Sequence, residues 1–167
     1  ELQSLLGREE AHPPFQAGHP FDGTHSAGYW SSTTDRNTTG NAFEQSLWGA
    51  ALPVTAKGTG RNVLPVRGES TVVAKTGQTT SYRTGDDGDL QPGVEWPSPR
   101  FTDNGDTITD NLTTLMWAED TNADGTKNLT DAIAYCNALS LGGHSDWRLP
   151  NLKELLSLLD YGQTSPS

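Results

Sequence analysis

The chain has 167 residues, a formal net charge of −10 and one cysteine, which suits one domain with a linker and excludes an intrachain disulfide. Apolar residues make up 32%; with glycine counted and tyrosine left out the share is about 40%, under the usual ~45–50%, so a modest core under long polar loops is expected. The acidic balance speaks against nucleic acid and anionic lipid as partners, and no apolar run reaches the 18 residues that suggest a membrane span.

Glu1-Leu2-Gln3-Ser4-Leu5-Leu6 opens the chain, and the same pattern returns later. Residues 7–28 read as loop, punctuated by Pro13, Pro14, Pro20, Gly18, Gly23 and Gly28. His12, His19 and His25 lie there at spacings that put no two on one local face, so loop composition outweighs a metal site. Tyr29 to Thr34 reads as a strand, and Asp35 to Asn41 as a polar turn. Ala42–Leu47, Leu52–Lys57 and Asn62–Arg67 are further short strands. Pro65 confines the last to an edge or a bulge.

Residues 69–99 lack apolar periodicity and read as a connector, stiffened by Pro92, Pro97 and Pro99 and pinned by Trp96. Arg100–Thr102, a turn at Asp103–Asp106 and Thr107–Thr109 predict a hairpin. Leu112 to Trp117 predicts another strand. Thr130 to Leu141 predicts a helix, with Leu129, Ala132, Ile133, Cys136 and Leu139 facing inward and Gly142-Gly143 as its stop. Cys136 reads as a small buried apolar residue.

Between them, Asp120 to Asp131 has the spacing of a calcium loop. Such a loop supplies oxygens from positions 1, 3, 5, 7, 9 and 12 around a glycine at 6. Those positions are Asp120, Asn122, Asp124, Thr126 (through its carbonyl), Asn128 and Asp131, with Gly125 at the turn. A strand rather than a helix precedes the loop, and Lys127 takes a usually apolar place. The same residues also read as a polar turn that caps the following helix. The sequence leaves both readings open.

The chain closes on a tryptophan-anchored turn and a second helix, Asp146 to Leu159. Pro150 suits a first helical turn. Asn151 and Glu154 have capping-box spacing. Leu152, Leu155, Leu156 and Leu159 form one stripe, which predicts a buried face. Trp30, Trp117, Trp147, Leu155 and Leu159 are the expected core. Glu154–Leu159 repeats Glu1–Leu6 with one mismatch, at Leu156 against Gln3. This predicts a tandem repeat of which the chain spans a little more than one period, beginning and ending in the same helix. Segregated strands and helices indicate an α+β fold.

Several motifs together resemble the Lcl C-terminal domain family, named for a collagen-like adhesin of Legionella. They are Phe101–Asp106, Thr109–Thr113, Leu115-Met116-Trp117, Ala134–Asn137, Trp147-Arg148-Leu149-Pro150-Asn151 and Tyr29–Thr33. The resemblance implies a C-type-lectin-like fold related to formylglycine-generating enzymes, with short antiparallel strands and two helices. It also implies that the halves stand in permuted order. Residues 1–68 would be the C-terminal half of one repeat, 69–99 the connector and 100–167 the N-terminal half of the next. Members often pair a cysteine at the place of Cys136 with one on the last strand, where this chain has Pro65.

The formylglycine-generating relatives use paired cysteines, and one cysteine cannot supply them. No phosphate loop, dinucleotide fingerprint or nucleophile elbow is present. The expectation is therefore a noncatalytic extracellular module of a bacterial surface protein, binding glycan or protein in adhesion. The alternative is a structural spacer or self-assembling repeat with no small ligand. Expected partners are neighbouring repeats, copies of itself, a neutral glycan or a protein, with calcium as the candidate cofactor. Sulfated glycans need clustered Arg or Lys, whereas residues 86–131 hold eleven acidic residues against Arg100 and Lys127. Trp48 and Tyr82 are candidates for stacking on a sugar ring or simply packing on a neighbour.

Overall fold

The computed structural model describes residues 20–21, 28–46, 52–120 and 125–164. The duplicated opening Glu1–Leu6, the three loop histidines and Trp48 lie outside them. Within them the chain is α+β, with two three-stranded antiparallel sheets and three helices. It divides into two units: residues 1–95 with 160–167, and residues 96–159.

In the first unit, β1 (Gly28–Thr34), β2 (Asn41–Ser46) and β3 (Val54–Ala56) pair in chain order. These are three of the expected strands, each shifted by a residue or two. The fourth, expected at Asn62–Arg67, does not form. Asn62 makes a parallel bridge to Tyr29, giving its N–H to Gly28 and accepting from Trp30 at 3.1 Å each. Beyond it Pro65 has no hydrogen to donate, and Val63 and Val66 are 70% and 73% exposed.

The interior of this unit is mostly polar. Among its described residues the buried apolar side chains are Tyr29 and Ala42; Thr33, Thr34, Glu44, Gln45, Gln78 and Asp87 are buried with them. Trp30, expected in the core, is half-buried. Buried polar groups need partners, and here the supposed connector supplies them. Gln78 accepts from the Thr34 N–H at 3.1 Å and donates to its carbonyl at 2.8 Å. Its amide thus takes the place of a neighbouring strand's peptide. Thr33 and Thr76 hydroxyls both donate to Asp87 Oδ2, at 2.7 and 2.6 Å.

Residues 69–95 are thus part of the first unit, and they hold α1 (Asp87–Leu90). Asp86 caps it, accepting from the backbone N–H of Tyr82, Arg83 and Asp89 at 2.8–3.0 Å. Burial acts to raise the Asp86 pKa, but these donors prevail and hold it below the usual carboxylate range. A Cβ on Gly88 would stand 2.1 Å from the Thr80 carbonyl oxygen, so glycine is required there. After the second unit the chain returns: Tyr161 donates its N–H to Thr76 at 2.9 Å and meets the Phe43 ring edge-on at 5.1 Å.

In the second unit, β4 (Phe101–Asp103), β5 (Thr107–Asp110) and β6 (Met116–Ala118) pair in chain order. The expected hairpin is present, its turn closed by Gly105 at φ 93° donating to Asp103 at 2.8 Å. The strand expected from Leu112 begins only at Met116. Asp110 is the reason: it accepts from the Leu112 N–H at 3.0 Å and the Thr113 hydroxyl at 2.8 Å, which closes a turn. Thr114 then sits at φ 62°.

The helix α2 (Leu129–Ala138) starts on an Asn128 cap and stops before Leu139, short of the expected end at Leu141. The helix α3 (Leu152–Ser157) carries the predicted capping box. Pro150 precedes the cap instead of occupying the first turn. The buried faces expected on both helices are not buried. Leu155 and Leu159, expected in the core, are 47% and 48% exposed. Trp117 and Trp147 are half-buried. The physical reason is that α3 is short and, with α2, borders an open groove instead of closing over a core.

Replacing Gln78 by Ala leaves the Thr34 N–H and carbonyl buried without their partner. It should lower the unfolding free energy by about 2 kcal/mol, read from urea melts. An unchanged midpoint would mean that this amide does not fasten residues 69–95 to β1.

Candidate functional site

The groove of the second unit has a volume of about 750 Å³, within the ~300–1,000 Å³ of ligand sites. Three pieces of local chemistry build it. The sheet contributes Met116 and Trp117 from β6. The helix α2 contributes Tyr135 and Cys136, followed by Leu139. The turn from Leu141 to Pro150 contributes Trp147, whose indole N–H donates to the Leu141 carbonyl at 3.2 Å. That bond ties the ring to Leu141, which bridges to His144 across the Gly142-Gly143 turn. A Cβ on Gly142 would meet Thr107 Cγ2 at 2.7 Å, and its φ of 58° also favours glycine. The Trp117 Nε1 is buried and has no hydrogen-bond partner among the described residues.

The floor is apolar and the rim is charged. Asp106, Glu119, Asp120 and Asp146 line it with Lys127 and Arg148. Lys127 places its ammonium 4.8 Å from the centre of the Tyr135 ring. Arg148 grips Glu154 with two hydrogen bonds, at 2.8 and 2.6 Å. Glu154 also accepts from the Asn151 N–H at 2.7 Å. The Arg148 hydrogen bond, with that backbone donor, lowers the Glu154 pKa to about 2. One ion pair thus ties the Trp147 turn to the start of α3.

The candidate calcium residues are only partly within the described chain. Asn122 and Asp124 lie outside it. Asp120 is exposed and lines the groove rim. Thr126 is exposed. Asn128 and Asp131 come together at the start of α2: Asn128 Oδ1 accepts from the Asp131 N–H at 2.9 Å, and its Nδ2 donates to Asp131 Oδ2 at 2.7 Å. These are the contacts of a helix cap. A cation would have to draw the same oxygens away from it. No cluster of three or more His, Cys, Asp or Glu fit to hold a metal occurs among the described residues.

Sequence reasoning found Trp117, Trp147 and Leu155 but assigned them to a core. It missed Tyr135, Leu141 and Leu149 as groove residues. Tyr135 sits next to Cys136 on the predicted inner face of α2, and that neighbour relation was the available signal. Tyr82, a sugar-stacking candidate, lies in the first unit with Lys57 Nζ 5.5 Å from its ring centre.

Residues 106–167 match the Lcl C-terminal domain family. Every groove-lining residue lies inside this matched segment. The resembling strand Tyr29–Thr33 falls outside it. No curated protein and no solved structure matches the chain. No helix among the described residues is long and apolar enough to cross a membrane.

Freeing Glu154 from Arg148 tests the rim. In the Arg148→Gln protein the Glu154 pKa should rise from about 2 toward its ordinary value of 4.5, read by NMR titration of the carboxyl carbon. Because the folded value is depressed, the pair's stabilisation is complete above the ordinary value and is lost as pH falls toward 2. An unchanged titration would separate Arg148 from the cap.

Proposed function

We propose that this chain is a noncatalytic module of a bacterial surface protein, acting in adhesion, and that the second-unit groove is where it binds glycan or protein. The observation that carries the reading is the coincidence of the groove with the segment similar to the Lcl C-terminal domain family, a name that points to surface adhesins. An apolar floor with two tryptophans suits the apolar face of a sugar ring or a partner's side chains. The acidic rim disfavours sulfated ligands. The lectin-like architecture with permuted halves belongs to the same proposal, supported by the motif order and by the duplicated Glu154–Leu159 pattern.

An array of neutral and sulfated glycans, probed with the chain and with its Leu155→Asp variant, tests this. Expected are hits on neutral glycans that weaken at least tenfold in the variant. If the array is blank and cells expressing the surface partner capture no chain, the spacer reading replaces this one.

Calcium at Asp120, Asn122, Asp124, Thr126, Asn128 and Asp131 is the second part of the proposal. It is supported by the loop spacing. A ligand that binds only the native state raises its melting temperature. Millimolar calcium should therefore raise the midpoint over EDTA, and Asp124→Ala should abolish the rise. Superimposable curves would leave the loop as a helix cap alone.

A further inference from the structure

The strand β6 has one open side. It ends the order β4-β5-β6, so β5 covers one of its edges and no strand among the described residues covers the other. The hydrogen bonds show which residues face the open side. Leu115 accepts from the Asp110 N–H at 2.9 Å, and Glu119 donates its N–H to the Asp106 carbonyl at 3.1 Å. In an antiparallel ladder, alternate residues turn their N–H and C=O groups to the same neighbour. Leu115, Trp117 and Glu119 therefore bond toward β5, with Trp117 opposite Ile108. Met116 and Ala118 turn theirs the other way, where no backbone group among the described residues meets them. An unpaired edge is a template for a further strand, and natural proteins blunt such edges with lysine, proline or a bulge. Leu115–Ala118 holds no charge and no proline.

The groove runs along this strand, since every residue from Leu115 to Glu119 lines it. Its floor is apolar, and its rim has carboxylates to spare. Lys127 stands over the Tyr135 ring, and Arg148 is held by Glu154. Asp106, Glu119 and Asp146 line the same groove, and no cation among the described residues pairs with them. An open strand edge, an apolar floor and unpaired negative charge thus lie together.

We infer that β6 takes an extended, basic segment of a partner protein as an added strand lying in the groove. Main-chain bonds to Met116 and Ala118 hold the segment, and alternate side chains rest on the apolar floor. Its Lys or Arg residues meet Asp106, Glu119 and Asp146, and opposite charge speeds the encounter. The inference rests on the reading of the groove as a binding site and commits it to a protein ligand. A sugar ring would use the floor alone. Donors and acceptors at strand spacing match a peptide backbone.

The test uses the full chain at physiological salt, with an acetylated peptide of alternating lysine and valine as the probe. The peptide should bind saturably and slow hydrogen exchange of the Met116 and Ala118 amides, read by NMR, by about tenfold or more. The same peptide with alternate backbone nitrogens methylated keeps its charge but loses its strand donors, and should bind about tenfold more weakly. The Glu119→Gln/Asp146→Asn protein, its fold checked by circular dichroism, should also bind the lysine peptide more weakly. Equal binding of the methylated peptide would mean that charge alone holds it, and would overturn the inference. Unchanged binding by the carboxylate variant, no binding by the parent chain, or no slowing at Met116 and Ala118 would overturn it as well. Neutral-glycan hits without peptide binding would sink this inference alone. A blank array with slowed exchange at both amides would sink the glycan form of the groove reading alone. Absence of both would sink the two together.

Discussion

Arg100 is the constraint on which the second unit depends. It donates to both oxygens of Asp110, at 2.8 and 3.1 Å, and to the Ser157 carbonyl at 2.7 Å. Its guanidinium stands 4.4 Å from the centre of the Trp96 ring and 4.9 Å from that of Phe101. Asp110 is fully buried. Burial acts to raise its pKa, but the Arg100 hydrogen bond, with those from Leu112 and Thr113, holds it below the usual carboxylate range. A buried ion pair is weak evidence of net stability, because both charges lose water. Its value here is geometric. One side chain ties β5 to the last turn of α3, where an unpaired carbonyl needs a donor. The same carboxylate closes the turn before β6. Sheet, turn and helix are positioned by one charge pair, in a unit whose described residues bury no apolar side chain.

The first unit solves the same shortage differently. Among its described residues two apolar side chains are buried, and the interior is closed by amides, hydroxyls and carboxylates. Each must be partnered, since an unpaired buried polar group costs about 1–3 kcal/mol. Gln78, Asp86 and Asp87 meet that demand from a stretch with no strand or helix pattern. Such a network specifies its geometry closely, because hydrogen bonds tolerate less misplacement than apolar contacts do. It also explains how a chain with 32% apolar residues holds a sheet together.

Local chemistry was legible in the sequence. The Asn151–Glu154 capping box, the Asp103–Asp106 turn and the three strands of the first unit follow from side-chain preferences within a few residues. Long-range polar contacts were not. Nothing near Gln78 announces that its amide will extend β1, 44 positions away in the chain. Nor does any local pattern show that Asp110 will hold Arg100 and delay β6. Residues 69–95 lack periodicity because their partners are side chains spread across the unit. Periodicity detects a repeating face, and polar fastening has none. The one available sign was Asp86 with Asp89 three positions on, the spacing of a helix cap.

The helices show the other limit of pattern reading. Leu152, Leu155, Leu156 and Leu159 do form one stripe, and so do Leu129, Ile133 and Cys136. An amphipathic stripe states that a helix face avoids water; it does not state what covers that face. A core residue and an interface residue obey the same spacing, because both answer to the same transfer free energy. What separates them is whether the chain brings up enough apolar surface from the other side. Here the sheet beneath offers Met116 and Trp117 and little more. The apolar residues of the second unit are consequently too many for its surface and too few, by themselves, to close a core. That imbalance distinguishes a groove from an interior, and it can be read only once the strands are known to be three or four residues long and the helices short.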